Sequence, residues 1–246
     1  MNTETLDQPI VADVAVSAPA VVIESAAPAV AAVAEGPNPF IALGLDGALV
    51  RAVSDLGYTQ PTDVQAKVIP LAMGSGKADE ASIDLMVSSQ TGSGKTAAFL
   101  LPVLNTLIAQ KAIEAAAEQA EFERQRAQAA ASGEAAPKRA KRKNPMQSRN
   151  FKAAVPGALV LCPTRELAQQ VAQEAIELVK HCKNLRVANV VGGMPYQLQI
   201  AKLQNADLVV ATPGRLLDLQ RSLQIKLDKV QFLVVDEADR MLDLGF

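Results

Sequence analysis

The sequence predicts an α/β domain in which a parallel sheet carries helices on both faces. Short runs rich in Val, Leu and Ile alternate with segments of helical period along residues 38–246. A glycine-rich loop ending in Lys and Thr follows one such run, and an acidic pair follows the last. Strands without polar alternation are typical of a sheet that is buried on both faces. The three observations together predict the fold class.

The predicted elements follow in a regular order. Two helices come first, "LDGALVRAVSDLG", which stops at Gly57, and "PTDVQAKVIPLAM". Five strands follow, each with a helix: "IDLMVS" with "KTAAFLLPVLNTLIAQ", "ALVLC" with "RELAQQVAQEAIELVKHC", "RVANVV" with "QLQIAKLQ", "DLVVA" with "GRLLDLQRSL", and "QFLVV" with "DEADRMLDLGF". Strands separated by helices in this way favour parallel pairing.

Two segments depart from this pattern. Residues 1–37 are rich in Ala, Val and Pro without any period, which predicts a disordered leader. Residues 111–152 predict an insertion into the domain, with an Ala/Glu/Gln/Arg-rich helical extension followed by a basic loop. The domain itself is therefore predicted to span residues 38–246.

Charge and cysteine content exclude several classes of protein. Residues 1–50 carry six acidic residues and no Lys or Arg, so the remainder holds 24 basic and 20 acidic residues, a net charge of +4. A nucleic-acid surface, if there is one, must then be local. Two cysteines and one histidine argue against a disulfide framework or a zinc site. No signal peptide or unbroken apolar span is visible, which favours a soluble protein of a reducing compartment, and we expect cytoplasmic localisation and no membrane contact.

The string G-S-G-K occurs twice, but only the second copy has the context of a phosphate-binding loop. At residues 89–96 a strand precedes the loop, Lys95 is placed for β- and γ-phosphate oxygens, Thr96 offers a hydroxyl for Mg²⁺, and a helix follows. Ser89 stands where the G-x-x-x-x-G-K-S/T pattern has its first Gly. The first copy, at residues 74–77, follows a helix, has Ala78 in place of the hydroxyl, and is interpreted as a flexible loop.

The acidic pair supplies the second half of a nucleotide site. Asp236 follows a buried strand and is placed to hold magnesium through water, and Glu237 is placed to orient or deprotonate an attacking water. The alternative is an acidic cluster that only stabilises a helix N-terminus. Beside a phosphate loop, we favour the catalytic interpretation, with Lys95 as the third catalytic residue.

The motifs "SQTGSGKT", "PTRELAQQ", "GG", "ATPGRLLDL" and "VVDEADRMLDLGF" occur in the order found in DEAD-box RNA helicases, which the chain resembles over residues 40–246 without the insertion. Among its branches, these motifs look most like the bacterial RhlE type. The resemblance implies a RecA-like phosphate-loop domain, the first lobe of an RNA-stimulated ATPase that separates short duplexes, and ATP and Mg²⁺ as its ligands.

The resemblance also implies how adenine is read. "GYTQPTDVQ" is similar to the family's adenine motif, although Asp63 and Val64 depart from the usual Pro-Ile. It implies that Gln65 lies on the adenine edge, that Phe40 stacks on the ring and that Thr62 braces the phosphate loop. Thr62 and Gln65 also form a Thr-x-x-Gln capping box, which is a purely structural alternative. The full predicted set for ATP is Phe40, Thr62, Gln65, Gln90, Thr91, Gly92, Ser93, Gly94, Lys95 and Thr96, with Thr96 and Asp236 as metal ligands.

RNA contacts are implied by three loops that follow strands, where helix N-termini and glycine backbone can meet phosphates. The alternative is that the two threonines merely cap helices. Contacts to the backbone alone predict little sequence preference. The basic loop at Lys138 to Lys143 is interpreted as either an auxiliary RNA-binding arm or a solvated segment. The residues matching the family's RNA-binding positions are Thr164, Arg165, Gly192, Gly193, Thr212, Gly214 and Arg215.

The resemblance also places further family elements after Phe246. A Ser-Ala-Thr motif and a second domain would follow, and Asp239 would couple to them, so we expect a monomeric first lobe, incomplete at its C-terminus, with weak nucleotide binding and little turnover alone. Two alternatives remain open. One is a P-loop NTPase that acts on DNA, and the other is a non-catalytic RNA-binding fragment.

Overall fold

A computed structural model describes residues 21–25, 38–74, 84–132 and 152–246, with the backbone alone for the first of these ranges. In the described part, parallel strands alternate with helices, as the hydrophobic pattern predicts. The strands are β1 (Val21–Ser25), β2 (Leu85–Ser89), β3 (Ala158–Leu161), β4 (Val187–Val190), β5 (Leu208–Ala211) and β6 (Phe232–Val235).

The helices begin and end close to the predicted limits, with a few differences. A short 3₁₀ helix at Pro39–Leu43 was not predicted. The predicted helix through Cys182 ends earlier, at Leu178. The α-helices are α1 (Gly47–Asp55), α2 (Asp63–Met73), α3 (Lys95–Ser132), α4 (Arg165–Leu178), α5 (Tyr196–Leu203), α6 (Pro213–Arg221) and α7 (Ala238–Asp243).

Four strands form one parallel sheet in the order β4-β5-β3-β6. Their carboxyl ends therefore meet at one edge of the sheet, and the segments that follow them become neighbours. Backbone bonds continue along that edge: the N–H of Thr212 donates to the Val190 carbonyl at 3.1 Å, and the N–H of Asp236 donates to the Leu161 carbonyl at 2.9 Å. The edge thus orders the loops after β4, β5, β3 and β6 in a row.

The strand before the phosphate loop is not hydrogen-bonded to that sheet. Within the described residues, β2 pairs only with β1, in parallel, with Ser25 opposite Ser89. The outer edge of β6 has no strand partner there, and Leu233 and Val235, which share one face of this strand, are exposed. Within the described residues β2 is therefore separate from the larger sheet, and it packs on Val64 and Val68 of α2 and Ala98 of α3.

The core lies between the sheet and its helices. On one face, α1, α3 and α4 pack on β3 and β5. On the other, α5 and α6 pack on β3, β4 and β5. Helix α3 is long and apolar enough by composition to cross a membrane. Its apolar half is nevertheless buried in this core, with Leu100, Leu101 and Leu104 fully covered, so it is explained as a core helix.

The leader and the insertion are only partly described. Of residues 1–37, the structure shows Val21–Ser25, which form β1 and were not predicted as a strand; the rest of the predicted leader lies outside the described residues. The predicted helical extension is confirmed, but as the second half of α3, since Ala, Glu and Gln favour helix and no breaker intervenes near residue 111. The basic loop at residues 138–143 lies outside the described residues.

Candidate functional site

The phosphate-loop segment joins β2 to α3, as the sequence predicts. It crosses from Gln90 to Gly94 as an irregular turn, and α3 begins at Lys95. Gly92 and Gly94 have φ angles of 79° and 85°, a left-handed conformation that glycine adopts without the steric cost other residues carry. The Ser89 and Ser93 hydroxyls lie 2.7 Å apart and close the loop across its base. The first turn of α3 thus presents backbone N–H groups beside this turn.

Lys95 folds back over the loop. Its ammonium donates to the Ser89 carbonyl and, at 3.0 Å, to the Gln90 carbonyl. Thr96 follows it, half-buried, in the first turn of the helix. A phosphate group in the loop would compete with two carbonyl oxygens for the same ammonium, and its full negative charge makes it the stronger acceptor.

Gln65 ties the loop to helix α2. Its side-chain oxygen accepts from the Thr62 N–H at 3.0 Å, while the Thr62 hydroxyl accepts from the Gln65 N–H at 3.3 Å, so the capping box is present. Its side-chain nitrogen donates to the Gly94 carbonyl at 3.2 Å. The direct bond to the phosphate loop therefore comes from Gln65, whereas the sequence assigned the bracing to Thr62. Both ends of the Gln65 amide are engaged within the protein.

Phe40 does not present its ring to solvent. The side chain is 0% exposed and packs in the core cluster with α1 and α3. Stacking on an adenine ring would require the side chain to turn out of this core. The structure therefore supports a packing role for Phe40 in the conformation described.

The acidic pair lies directly after β6. Burial and the charge of Glu237 raise the pKa of the Asp236 carboxyl, while the Glu237 N–H, at 3.1 Å, and the Lys95 ammonium act in the opposite direction. Glu237 has a φ of 49°, unusual for a residue other than glycine, and accepts from Arg240 at 3.2 Å. Asp239 is exposed in the first turn of α7.

The three loops predicted to meet RNA lie together on the same sheet edge. Arg165, after β3, lies so close to Gly193 that a Cβ there would collide with its guanidinium. Arg215, after β5, donates to the Val191 carbonyl at 3.4 Å and the Met194 carbonyl at 3.2 Å. The loop after β4 therefore lies between two arginines.

The remaining predicted members of this cluster differ in how their polar atoms are used. The Thr164 hydroxyl caps α4 by accepting from the Leu167 N–H at 3.3 Å, which is the structural alternative raised from the sequence. Thr212 precedes α6 at its N-cap position but makes no side-chain capping bond. Gly192 and Gly214 are open, with no atom within 4 Å of where a Cβ would lie.

Two side chains that the sequence did not single out also contact these loops. Gln199 donates from α5 to the Val191 carbonyl. The ring of Tyr196 lies under the Arg215 guanidinium, 5.5 Å from centroid to Cζ. Both occupy ordinary positions of an amphipathic helix, so no sequence signal marks them.

The first G-S-G-K copy lacks this arrangement where it is described. Helix α2 ends at Met73, and Gly74 closes it with a φ of 66°. Residues 75–77 lie outside the described residues. The prediction that this copy follows a helix, not a strand, is confirmed.

Parallel strands that alternate with helices, a glycine-rich loop after one strand and an acidic pair after another define a RecA-like phosphate-loop domain. Residues 62–246 match the family model described as "DEAD/DEAH box helicase". The chain belongs to this family.

Curated relatives agree with this assignment. The chain is 42% identical over 208 residues to "DEAD-box ATP-dependent RNA helicase 52A" of Oryza sativa subsp. japonica, covering 84% of this chain and 29% of the relative. It is 36% identical over 214 residues to "ATP-dependent RNA helicase RhlB" of Pseudomonas syringae pv. tomato, covering 86% and 43%. The chain thus spans less than half the length of these relatives. An RhlE-type assignment stays a prediction.

Solved structures show the same fold. The helicase Prp28 from Chaetomium thermophilum bound to ADP superimposes with a TM-score of 0.58 at 32% identity, covering 82% of this chain and 39% of that one. Dbp5 of S. cerevisiae bound to RNA and ADP BeF3 gives a TM-score of 0.56 at 27% identity, covering 84% and 40%.

Proposed function

We propose that this chain binds ATP with Mg²⁺ at the β2–α3 loop, contacts the RNA backbone along the edge of β4, β5 and β3, and acts as one lobe of an ATP-dependent RNA helicase. The observation that carries the proposal is the glycine turn at Gly92 and Gly94, which leads into Lys95 and Thr96 in the first turn of α3. A phosphate loop of this kind and an acidic pair after another strand supply the two parts of a phosphoryl-transfer site. Duplex unwinding and multiple turnover are proposed only for a helicase of the length of the curated relatives.

The nucleotide part follows from the loop geometry. The loop amides with residues 90–96 would hold the phosphates, with Lys95 on the β- and γ-oxygens. Gln65, joined to the loop through Gly94, is the residue proposed to read the adenine edge. That role requires the amide to exchange one of its internal partners for the base. Phe40 would stack only after leaving its buried position.

The residues present fit a magnesium ion. Thr96 and Asp236 offer a hydroxyl and a carboxylate, hard oxygen donors that suit Mg²⁺ when phosphate oxygens complete the shell. Burial and the nearby Glu237 charge raise the pKa of Asp236, and a cation bound there would offset both effects. When bound, the ion would neutralise charge developing on the phosphates. Glu237 would orient or deprotonate the attacking water.

The RNA part follows from the neighbourhood of the three loops. Two arginines and the open backbone of Gly192 and Gly214 lie on one edge, an arrangement suited to phosphates and not to base edges. Sequence preference should therefore be small and salt dependence large. Asp239 remains proposed as a coupling residue.

The nucleotide proposal is tested by titrating fluorescent ATP and GTP analogues with Mg²⁺. Lys95→Ala should weaken ATP binding at least tenfold, whereas Lys77→Ala, in the other G-S-G-K copy, should leave it unchanged. Gln65→Ala should remove a preference for ATP over GTP. Equal effects of the two lysine variants would contradict the assignment of the loop.

The RNA proposal is tested by fluorescence anisotropy with single-stranded RNA and DNA of two unrelated sequences. Similar affinities for both RNA sequences and a steep decrease with salt are expected. RNA binding that is unaffected by Lys95→Ala but is lost when residues 138–143 are deleted would favour a non-catalytic RNA-binding fragment. A preference for DNA would favour a DNA-directed NTPase.

A further inference from the structure

The loop after β4, here called the Gly-Gly loop (Val191–Met194), is held through its carbonyl oxygens. The Val191 carbonyl accepts from Gln199 and, at 3.4 Å, from Arg215. The Met194 carbonyl accepts from Arg215 at 3.2 Å. Between these points Gly193 has a φ of 79°. The loop is thus anchored on both sides of its two glycines.

Gln199 approaches this loop from inside the protein. It lies in the first turns of α5 and is 0% exposed, whereas Arg215 is half-buried and lies over the Tyr196 ring. The orientation of the Gln199 amide is determined by its partner, since a carbonyl oxygen accepts only from the nitrogen end. Nε2 therefore faces Val191, and Oε1 has no partner among the described residues.

A glutamine is an unfavourable choice for packing at this position. Its unpaired buried oxygen carries a desolvation cost at least as large as the net gain from one hydrogen bond. A methionine of similar volume would fill the same space without that cost. The advantage of glutamine at this position is therefore the hydrogen bond that its Nε2 donates to the Gly-Gly loop.

We propose that Gln199 is a positioning residue for RNA, which fixes the Gly-Gly loop in the conformation that presents Gly192 and Gly193 to the sugar-phosphate backbone. The inference rests on the proposed function of this loop. Gln199 does not itself touch RNA. Rigid presentation lowers the ordering cost of binding, so loss of the anchor should weaken RNA binding and leave the nucleotide site unaffected.

A matched pair of variants tests the proposal. Gln199→Met removes the anchor at nearly constant volume. Gln204→Met is the control, because Gln204 is also buried, at 5% exposure, and donates from the end of α5 to the Lys152 carbonyl at 2.8 Å, away from the loop. RNA affinity should decrease five- to tenfold for Gln199→Met and stay as in the original chain for Gln204→Met. Affinity for the ATP analogue should stay constant in both.

Two further results separate the possible failures. If the original chain binds no RNA, the proposed function is wrong, and the anchor is judged by ¹⁵N relaxation of the Gly192 and Gly193 amides. The order parameters of these two amides should be as high as those of β4 in the original chain and should be lower in Gln199→Met. Unchanged RNA affinity in a folded Gln199→Met would overturn the proposal, as would equal losses in both variants. If Gln199→Met does not fold, picosecond–nanosecond mobility of these amides in the original chain would overturn it.

Discussion

Gly92→Ala and Gly94→Ala change the same loop in the same way, yet we expect different losses of stability. Both residues have a left-handed φ, so an added Cβ costs about 1–2 kcal/mol at either position. At Gly92 the Cβ meets no atom within 4 Å. At Gly94 it would lie 2.5 Å from the Gln65 Nε2 and 3.2 Å from the Thr62 hydroxyl, so the Gln65 side chain must move and its 3.2 Å bond to the Gly94 carbonyl is lost.

The lost bond adds about 1 kcal/mol, so Gly94→Ala should lower the free energy of unfolding by about 2–3 kcal/mol and Gly92→Ala by about 1–2 kcal/mol. Urea unfolding followed by far-ultraviolet circular dichroism, without nucleotide, measures both. In a Gln65→Ala background the difference between the two glycine variants should shrink, because the obstructing amide is gone and only the 3.2 Å contact with the Thr62 hydroxyl remains. Equal losses in the original background would refute the assignment of Gln65 as the brace of this loop.

Three more outcomes follow from the same structure. Asp236→Asn should stabilise the nucleotide-free chain at neutral pH. The pKa of Asp236 is raised in the folded chain, so its carboxylate destabilises the fold when ionised; this penalty is absent below the unfolded pKa and is complete once pH has risen through the folded pKa. The stabilisation by asparagine should therefore vanish in acid urea titrations. Lys111→Met should cost about 0.5–1 kcal/mol at pH 7 by removing the 2.9 Å pair with Asp207. The hydrogen bond to Asp207 raises the pKa of Lys111, so this loss should disappear as pH rises through that raised pKa, and a pH-independent loss would contradict an electrostatic role. Burial raises the pKa values of Cys162 and Cys182 to about 12 and about 11, so a thiol reagent at pH 8 should label them slowly in the folded chain and rapidly in urea; fast labelling of the native chain would be inconsistent with this packing.

Hydrophobic pattern was sufficient to predict most of the described elements. Strand β2 and the start of α3 were predictable because a short apolar run, a glycine turn and a helical period follow one another without interruption. The distinction between the two G-S-G-K copies could also be predicted, since it depends on whether a strand or a helix precedes each copy.

What could not be predicted depends on partners distant in sequence. No sequence pattern shows which side chain will bind the Val191 carbonyl, so nothing in "YQLQIAKL" marks Gln199 as its donor. Phe40 could be placed near the nucleotide by resemblance, but its burial depends on how α1 and α3 close around it. The separation of β2 from the larger sheet depends on strand order, which the parallel pattern leaves undetermined.

Helix α3 has a mechanical consequence for the phosphate loop. Two contacts fasten it near its middle, Lys111 to Asp207 at 2.9 Å and Gln110 to Gln231 at 2.6 Å, and residues 112–132 extend beyond them for about 32 Å. A lateral force at Ser132 therefore acts first on these two contacts. A 10° tilt there displaces the far end by about 5–6 Å, while the half of the helix that begins at Lys95 stays packed in the core. The core packing of the first half of α3 therefore opposes such a force before it reaches the phosphate loop.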